Sequence, residues 1–407
     1  MLGATRLIPM LLLLCLASTG QQAIHAAEPV AEFLQGLRRR GDFDLAFYYL
    51  EQQQLEQQQT QRFSPETQAI FLLESGITYA QGAPLLLDSA AELRARSQAA
   101  SALRKFLKEN PQHPRALQAQ MVLGELLLHA GLLEVEAADG ENAEKSAVVR
   151  MVIEETRGYL EQSLERYQAL WKSFPIYLPE DQADQRALRA AVEEAYIRIQ
   201  LDLAQCRFWE AQTYPSGSPD AWKVLAQAGF EFEAIHQRYR SQIGGLLARL
   251  WQARCFQEQG TEQGIRIALG IYGEILEHHG DSVAIQNLKD RALKFRLTCL
   301  NSIHRRDYQL VIQEAKEWME AKPDTSSDPI GVAIKWELCS ALESKANVPG
   351  REPEERIDLL AEAYSHAYSL SWSRGVYARR AAVLMERVKP LLRDAGRETE
   401  VPFPLTN

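Results

Sequence analysis

The sequence lacks the short motifs by which many enzymes are recognised. It contains no phosphate-binding loop, no Gly-x-Ser-x-Gly elbow and no dinucleotide fingerprint. His-x-x-x-His and Cys-x-x-Cys spacings, which mark many zinc sites, are also missing. We interpret the His278-His279-Gly280-Asp281 segment as the polar end of a helix. The sequence therefore predicts no catalytic, cofactor-binding or metal-ligating residue.

Positive charge is also scarce. The chain has 45 Lys and Arg residues against 54 Asp and Glu residues, for a formal net charge of −9. Nucleic-acid-binding proteins usually carry a basic patch or stripe, so we expect no nucleic-acid partner.

Only the N-terminus has a long uninterrupted apolar run, and this run is too short for an ordinary membrane span. It follows Arg6, and a polar stretch and Ala23-Ile-His-Ala-Ala27 come after it. This order is typical of a secretory signal peptide, which we place at residues 1–27. The sequence thus predicts export to the periplasm or the extracellular space, with no integral membrane segment once the signal is removed. An uncleaved anchor is the alternative.

Cysteines are few in the predicted mature chain. Cys206, Cys255, Cys299 and Cys339 fall in four different predicted helices. Disulfide bonds between facing helices are the alternative in an exported protein, but four small buried thiols explain this placement better.

Helical periodicity is what the sequence has in abundance, and residues 292–323 show it best. Two apolar stripes with helical spacing flank the segment Arg305-Arg306-Asp307, and Pro323 ends the second stripe. Neither helix of this pair can bury its apolar face alone, so the pair predicts neighbours of the same kind.

The rest of the chain repeats such pairs every 40–50 residues or so, giving about 15 helices and no convincing strand. We predict an all-α fold with N-terminal repeats at 28–213, C-terminal repeats at 220–396 and a tail at 397–407. The segment 214–219, Tyr-Pro-Ser-Gly-Ser-Pro, is predicted to be a hinge between the two arrays. Ser64, Asp220 and Asp307 are the predicted N-caps of the helices that follow them.

These pairs resemble the tetratricopeptide repeat. Partial matches to that pattern, in its first helix, turn or second helix, extend over most of 29–323: Leu123-Gly124, Leu127 and Gly131; Ala253, Phe256 and Gly260; Gly41-Asp42-Phe43 and Ala46; Asp307-Tyr308, Ala315 and Pro323; Ala99, Leu103, Phe106 and Pro111. The chain departs from the family at Ser302 and Val311, and its middle helices exceed the family's unit of about 34 residues.

The resemblance, which extends to helical-repeat modules of the bacterial cell envelope, implies a right-handed α-solenoid with a concave face that binds proteins or peptides. It does not imply an enzyme. HEAT-like repeats are the alternative fold.

The sequence therefore predicts a non-enzymatic, exported scaffold for protein or peptide binding. Trp171, Trp209, Trp222 and Trp251 are the candidate partner-binding residues, because tryptophan is frequent at binding hot spots. A glycan-binding or cell-wall-associated module is the first alternative, since sugar rings stack on exposed aromatic rings. An enzyme with an unrecognised carboxylate site is the second, and Glu74-Ser75, a pair also found in lytic transglycosylases, is its nearest candidate.

Overall fold

A computed structural model describes residues 30–60, 63–86, 88–113, 115–127 without 117, 121 and 125, 143–175, 177–179, 181–323, 329–373 and 376–397. The predicted signal peptide at 1–27 lies outside these residues, as does nearly all of the predicted tail. Within them the chain is helical and contains no strand, which confirms the all-α prediction. The chain divides into two compact units, one ending at Leu126 and the other beginning at Leu127.

The first unit consists of short antiparallel helices around one core. Its helices are α1 (Val30–Arg40), α2 (Phe43–Thr60), α3 (Pro65–Gly82) and α4 (Ser89–Glu109), with a 3-10 turn at Ala83–Leu85 after α3. The described residues between 116 and 126 are helical as well. Leu34, Leu50 and Phe71 lie in the shared core, and Gly76 lets α3 approach Leu103 of α4 closely.

The second unit is a stack of ten helices with described bounds: α5 (Ala143–Ser173), α6 (Ala183–Ala211), α7 (Pro219–Arg238), α8 (Ile243–Glu258), α9 (Glu262–Leu276), α10 (Val283–Asn301), α11 (Tyr308–Ala321), α12 (Pro329–Ala346), α13 (Pro353–Ser371) and α14 (Val376–Asp394). Each helix packs on the next one in sequence, which is the arrangement of an α-solenoid. The long helices predicted in the middle of the chain are α5 and α6.

The even-numbered helices of this unit form a layer of their own. Each of α6, α8, α10 and α12 also contacts the next even-numbered helix, and no comparable contact joins successive odd-numbered helices in the described residues. In a curved stack, the row whose members touch lies on the inside of the curve. We call α6, α8, α10, α12 and α14 the inner layer.

Backbone geometry at the turns shows that the repeating pair is an even-numbered helix followed by an odd-numbered one. The turn inside each of four successive pairs contains a residue with positive φ: Gly217 (74°), Gly260 (65°), Arg306 (52°) and Gly350 (82°). The four cysteines follow the same repeat, with Cys206, Cys255, Cys299 and Cys339 in α6, α8, α10 and α12. All four are buried free thiols, as the sequence predicted.

One of the three predicted N-caps is wrong. Ser64 caps α3 as predicted, because its Oγ accepts a hydrogen bond from the Thr67 amide at 3.1 Å. The prediction for Asp220 is wrong: Ser218 is the N-cap of α7, with Pro219 at the first helical position, and Asp220 lies in the first turn. Asp307 occupies the N-cap position of α11, but its side chain forms no capping hydrogen bond.

Candidate functional site

An aromatic cluster lies at the α6 end of the inner layer. Trp209 of α6 and Trp251 of α8 meet edge to face, with ring centroids 5.8 Å apart. Phe208 and Phe232 are fully buried beneath them, at 5.1 Å and 6.1 Å from the Trp251 ring. Both tryptophans stay partly exposed, so the cluster presents an indole surface on the inner layer.

An arginine follows the cluster along the same face of α8. Trp251, Arg254 and Glu258 are spaced three and four residues apart, which places them on one side of the helix. The Arg254 guanidinium lies 5.6 Å from the Phe208 ring centroid and 4.2 Å from that of Phe295 on α10, and it pairs with Glu258 at 2.7 Å. Its Nε is buried and has no hydrogen-bond partner.

Lys294 continues this surface onto α10. Its Nζ lies 5.0 Å from the centroid of the Phe295 ring, and the lysine forms no ion pair with any residue in the described part of the chain. Burial is the main cause that lowers its pKa below the ordinary value, and the nearby charges of Arg254 and Arg291 act in the same direction. Glu337 opposes them. Lys294 is therefore a partly buried cation without an ion pair in the described residues, and Glu337 is the carboxylate whose charge acts on it.

Glu337 carries the surface onto α12. Its carboxylate accepts hydrogen bonds from Thr298 Oγ1 at 3.0 Å and from Asn301 Nδ2 at 2.7 Å, which ties α12 to α10. Burial raises its pKa, although these two hydrogen bonds and the charge of Lys294 oppose that shift. Asn301 Oδ1 is buried without a hydrogen-bond partner. We call Trp209, Trp251, Arg254, Lys294 and Glu337 the inner stripe.

The structure thus brings together two of the four tryptophans that the sequence singled out. Trp171 lies apart on α5, stacked on Tyr196 at 6.3 Å. Trp222 lies on α7, is 42% exposed, and donates from Nε1 to the Gln259 carbonyl at 3.0 Å. The sequence-based prediction did not include Arg254, Lys294 or Glu337. For Arg254, the mixture of aromatic and charged residues on one face of α8 indicated a binding surface.

The carboxylate nearest to an enzyme motif is engaged in ion pairs. Glu74 lies within α3, and its two oxygens contact Arg38 Nη2 at 2.7 Å and Arg115 Nη2 at 2.6 Å. Arg38 also donates to Thr78 Oγ1 at 2.8 Å. With both oxygens held by guanidinium groups, the carboxylate stabilises the packing of the first unit.

A groove also opens between α5 and α7, with α6 as its floor. It encloses about 330 Å³ and is lined by Arg157, Arg207, Phe230, Glu231 and Arg238, among others. Most of its charges are paired within the groove: Arg207 with Glu231 at 2.6 Å, and Arg157 with Glu161 at 3.5 Å. Its remaining cation, Arg238, lies over the Tyr239 ring and is exposed to solvent, whereas Lys294 of the inner stripe is partly buried.

The described residues contain neither a metal-binding cluster nor a helix suited to a membrane. No group of three His, Cys, Asp or Glu side chains among them is placed to hold a metal ion, and His278 and His279 follow the end of α9. None of these helices combines the length and the apolar composition needed to cross a membrane.

No family model matches the chain. No curated protein matches its sequence significantly. The geometry of the inner stripe therefore provides the main evidence for function.

Proposed function

We propose that this chain is an exported, non-enzymatic helical-repeat scaffold that binds a protein or peptide segment along the inner stripe. One observation carries the proposal: polar and charged groups along this surface lack partners inside the protein. Arg254 Nε, and Asn301 Oδ1 beside Glu337, are buried without a hydrogen-bond partner, and the partly buried Lys294 forms no ion pair in the described residues. Each buried polar group left unsatisfied costs roughly 1–3 kcal/mol, so their alignment beside two partly exposed tryptophans favours a binding surface.

The remaining parts of the proposal rest on the sequence and on the inner layer. Export is supported by the charged, apolar and small-residue order of residues 1–27. Kinship with tetratricopeptide repeats is supported by the pairing of helices, although the pairs are longer than that unit. The ion-paired state of Glu74 supports a binding role over a catalytic one.

A peptide fits the stripe better than a glycan does. Sugar rings stack on flat and open aromatic faces, whereas Trp209 and Trp251 meet at an interplanar angle of 75° and are only partly exposed. Such a pair instead offers two differently oriented apolar ring surfaces, which suit an apolar side chain, with charged groups next to them.

Comparative pull-down from cell-envelope extract tests the proposal. We expect the wild-type chain to recover one or more proteins that are lost with Trp251→Ala and retained with Trp372→Ala. Trp372 is a suitable control because it is 65% exposed and lies at the end of α13, outside the inner layer. Identical recoveries with all three chains would contradict the proposal. Retention of soluble cell-wall glycan that depends on Trp251 would support the glycan alternative instead.

A further inference from the structure

We propose that the segment bound by the inner stripe is acidic and extended. One internal Asp or Glu side chain would lie on Lys294, and an apolar or aromatic side chain would lie on the Trp209–Trp251 pair. This inference rests on the proposed function and specifies the chemistry of the partner.

The balance of charge on the stripe favours an acidic partner. Arg254, Arg291 and Lys294 supply three cations. Glu258 is engaged with Arg254, and Glu337 accepts hydrogen bonds from Thr298 and Asn301. Glu337 is also the carboxylate whose charge acts on Lys294, but neither Lys294 nor Arg291 forms an ion pair in the described residues, so a further carboxylate is their complement. A basic segment would instead bring a fourth cation into a partly desolvated site.

Desolvation of Lys294 favours the same partner. Burial already lowers the pKa of Lys294, which means that the folded protein disfavours its charge. A carboxylate placed against Nζ would favour the charged form of Lys294. It would take the place of the water that solvates an exposed ammonium group. Binding an acidic side chain should therefore be accompanied by proton uptake at alkaline pH.

The spacing of the inner helices sets the spacing of residues in the bound segment. Packed helices lie roughly 8–10 Å apart, so Trp251 of α8 is about one such spacing from Lys294 of α10. The Trp209 ring contacts the Trp251 ring at 5.8 Å, so the two rings form one apolar site. An extended chain advances about 3.3 Å per residue. The apolar residue of the segment should thus stand about three positions from the acidic one.

The position of Lys294 within the layer identifies the source of the carboxylate. The inner layer continues beyond α10 to α12 and α14, and the stripe reaches Glu337 on α12. A segment that crosses the layer therefore has surface on both sides of Lys294. This favours an internal Asp or Glu side chain over the carboxylate at a chain end.

The test begins with selection from a phage-displayed library of random linear peptides, using the full chain as bait. We expect enrichment of peptides with Asp or Glu about three residues from an aromatic residue or Leu. The consensus peptide is then synthesised with a fluorescein label and an amidated C-terminus. Its affinity is measured by fluorescence anisotropy.

Substitutions at Lys294 decide the role of charge. Lys294→Gln should weaken the consensus peptide at least 10-fold, and Lys294→Arg should retain most of the affinity. Lys294→Glu should bind a peptide in which Lys replaces the acidic residue. Lys289→Gln is the matched control, because Lys289 lies on the same helix about 140° around the axis from Lys294. Circular dichroism verifies folding. Binding of the Lys-containing peptide to Lys294→Glu shows in addition that the binding site of that variant is intact.

The outcomes separate the inference from the function on which it rests. Enriched peptides that need Trp251 but lack acidic residues would overturn the acidic partner and leave peptide binding standing. If C-terminal amidation abolishes binding, the carboxylate on Lys294 comes from the chain end, which would overturn the assignment to an internal side chain. If no peptide is enriched, or all bind equally to Trp251→Ala and Lys294→Gln, both the inference and the proposed function fail.

Discussion

Glu74 and Lys294 show two opposite ways in which this chain places charge out of water. The Glu74 side chain is 1% exposed, and two arginines contact its oxygens within the first unit. Lys294 is partly buried and has no ion pair in the described residues. The first charge is compensated inside the fold, whereas the second has no ion pair there, and we propose that a partner supplies its counter-ion. The two residues should therefore respond in opposite ways when their charge is removed.

Glu74→Gln should destabilise the protein. The amide leaves the guanidinium groups of Arg38 and Arg115 without their counter-ion, and removing one partner of a buried ion pair costs about 3–5 kcal/mol. We expect a loss of stability near the lower end of this range because Arg115 is partly exposed. Urea unfolding measures the change. The exposed Glu109→Gln serves as control, with an expected effect within about 0.5 kcal/mol. Equal midpoints for the two variants would contradict the structural role of Glu74.

Lys294→Met should stabilise the protein while abolishing binding of the acidic peptide. Burial, Arg254 and Arg291 lower the folded-state pKa below the unfolded value, and Glu337 only partly offsets them. Between these two pKa values the unfolded chain binds more protons, so wild-type stability rises as the pH increases through that window. Removing the charge should raise the free energy of unfolding at pH 7 by about 0.5–2 kcal/mol.

Urea unfolding at pH 7 and pH 10 measures this effect. The advantage of Lys294→Met should shrink at the higher pH, where wild-type Lys294 begins to lose its proton. A variant less stable than wild type at pH 7 would show that the lysine stem contributes more through packing than its charge costs.

At the scale of elements, the repeating pair depends on a turn with positive φ. Glycine takes this conformation without a steric penalty, and it does so at Gly217, Gly260 and Gly350. Arg306 takes the same conformation between α10 and α11, where a side chain costs about 1–2 kcal/mol. The pair whose periodicity is clearest in the sequence thus has the most strained turn.

Arg306→Gly should therefore stabilise the protein by about 0.5–1 kcal/mol, since relief of strain exceeds the added entropy of the unfolded chain. Gly260→Ala, at the equivalent turn between α8 and α9, should destabilise it by about 1 kcal/mol. Gly260 is a clean comparison because no atom lies within 4 Å of the position that a Cβ would occupy. Thermal unfolding of both variants measures the shifts. Shifts of the same sign would show that the two turns are not equivalent.

Local signals explain which features could be predicted from the sequence. Apolar periodicity predicted α10 and α11 because it depends on residues within one helix. The cap of α7 was missed although Ser218-Pro219 repeats the Ser64-Pro65 signal, because the surrounding Pro and Gly residues indicated a hinge. The contact between Arg254 and Phe295, and the proximity of Lys294 and Glu337, had no local signal, because the inner layer alone brings these distant residues together.

At the scale of the whole molecule, a cluster of three cations at the inner stripe lies on an acidic protein. The formal net charge is −9, yet Arg254, Arg291 and Lys294 gather on one face of the second unit. An acidic segment is repelled by the net charge at long range and attracted by the stripe at contact. Salt screens these two interactions differently, because the Debye length falls from about 30 Å at 0.01 M to about 8 Å at 0.15 M.

The affinity of the acidic peptide should therefore pass through a maximum as the salt concentration rises. Between 0.01 M and about 0.15 M, screening removes the long-range repulsion and raises the association rate, while the contact with Lys294 persists. At about 1 M the Debye length is close to 3 Å, so the contact itself weakens and dissociation accelerates. Stopped-flow anisotropy resolves the two rates, and Lys294→Gln should flatten the high-salt decline. An affinity that falls steadily from the lowest salt would show that the field of the stripe dominates even at long range.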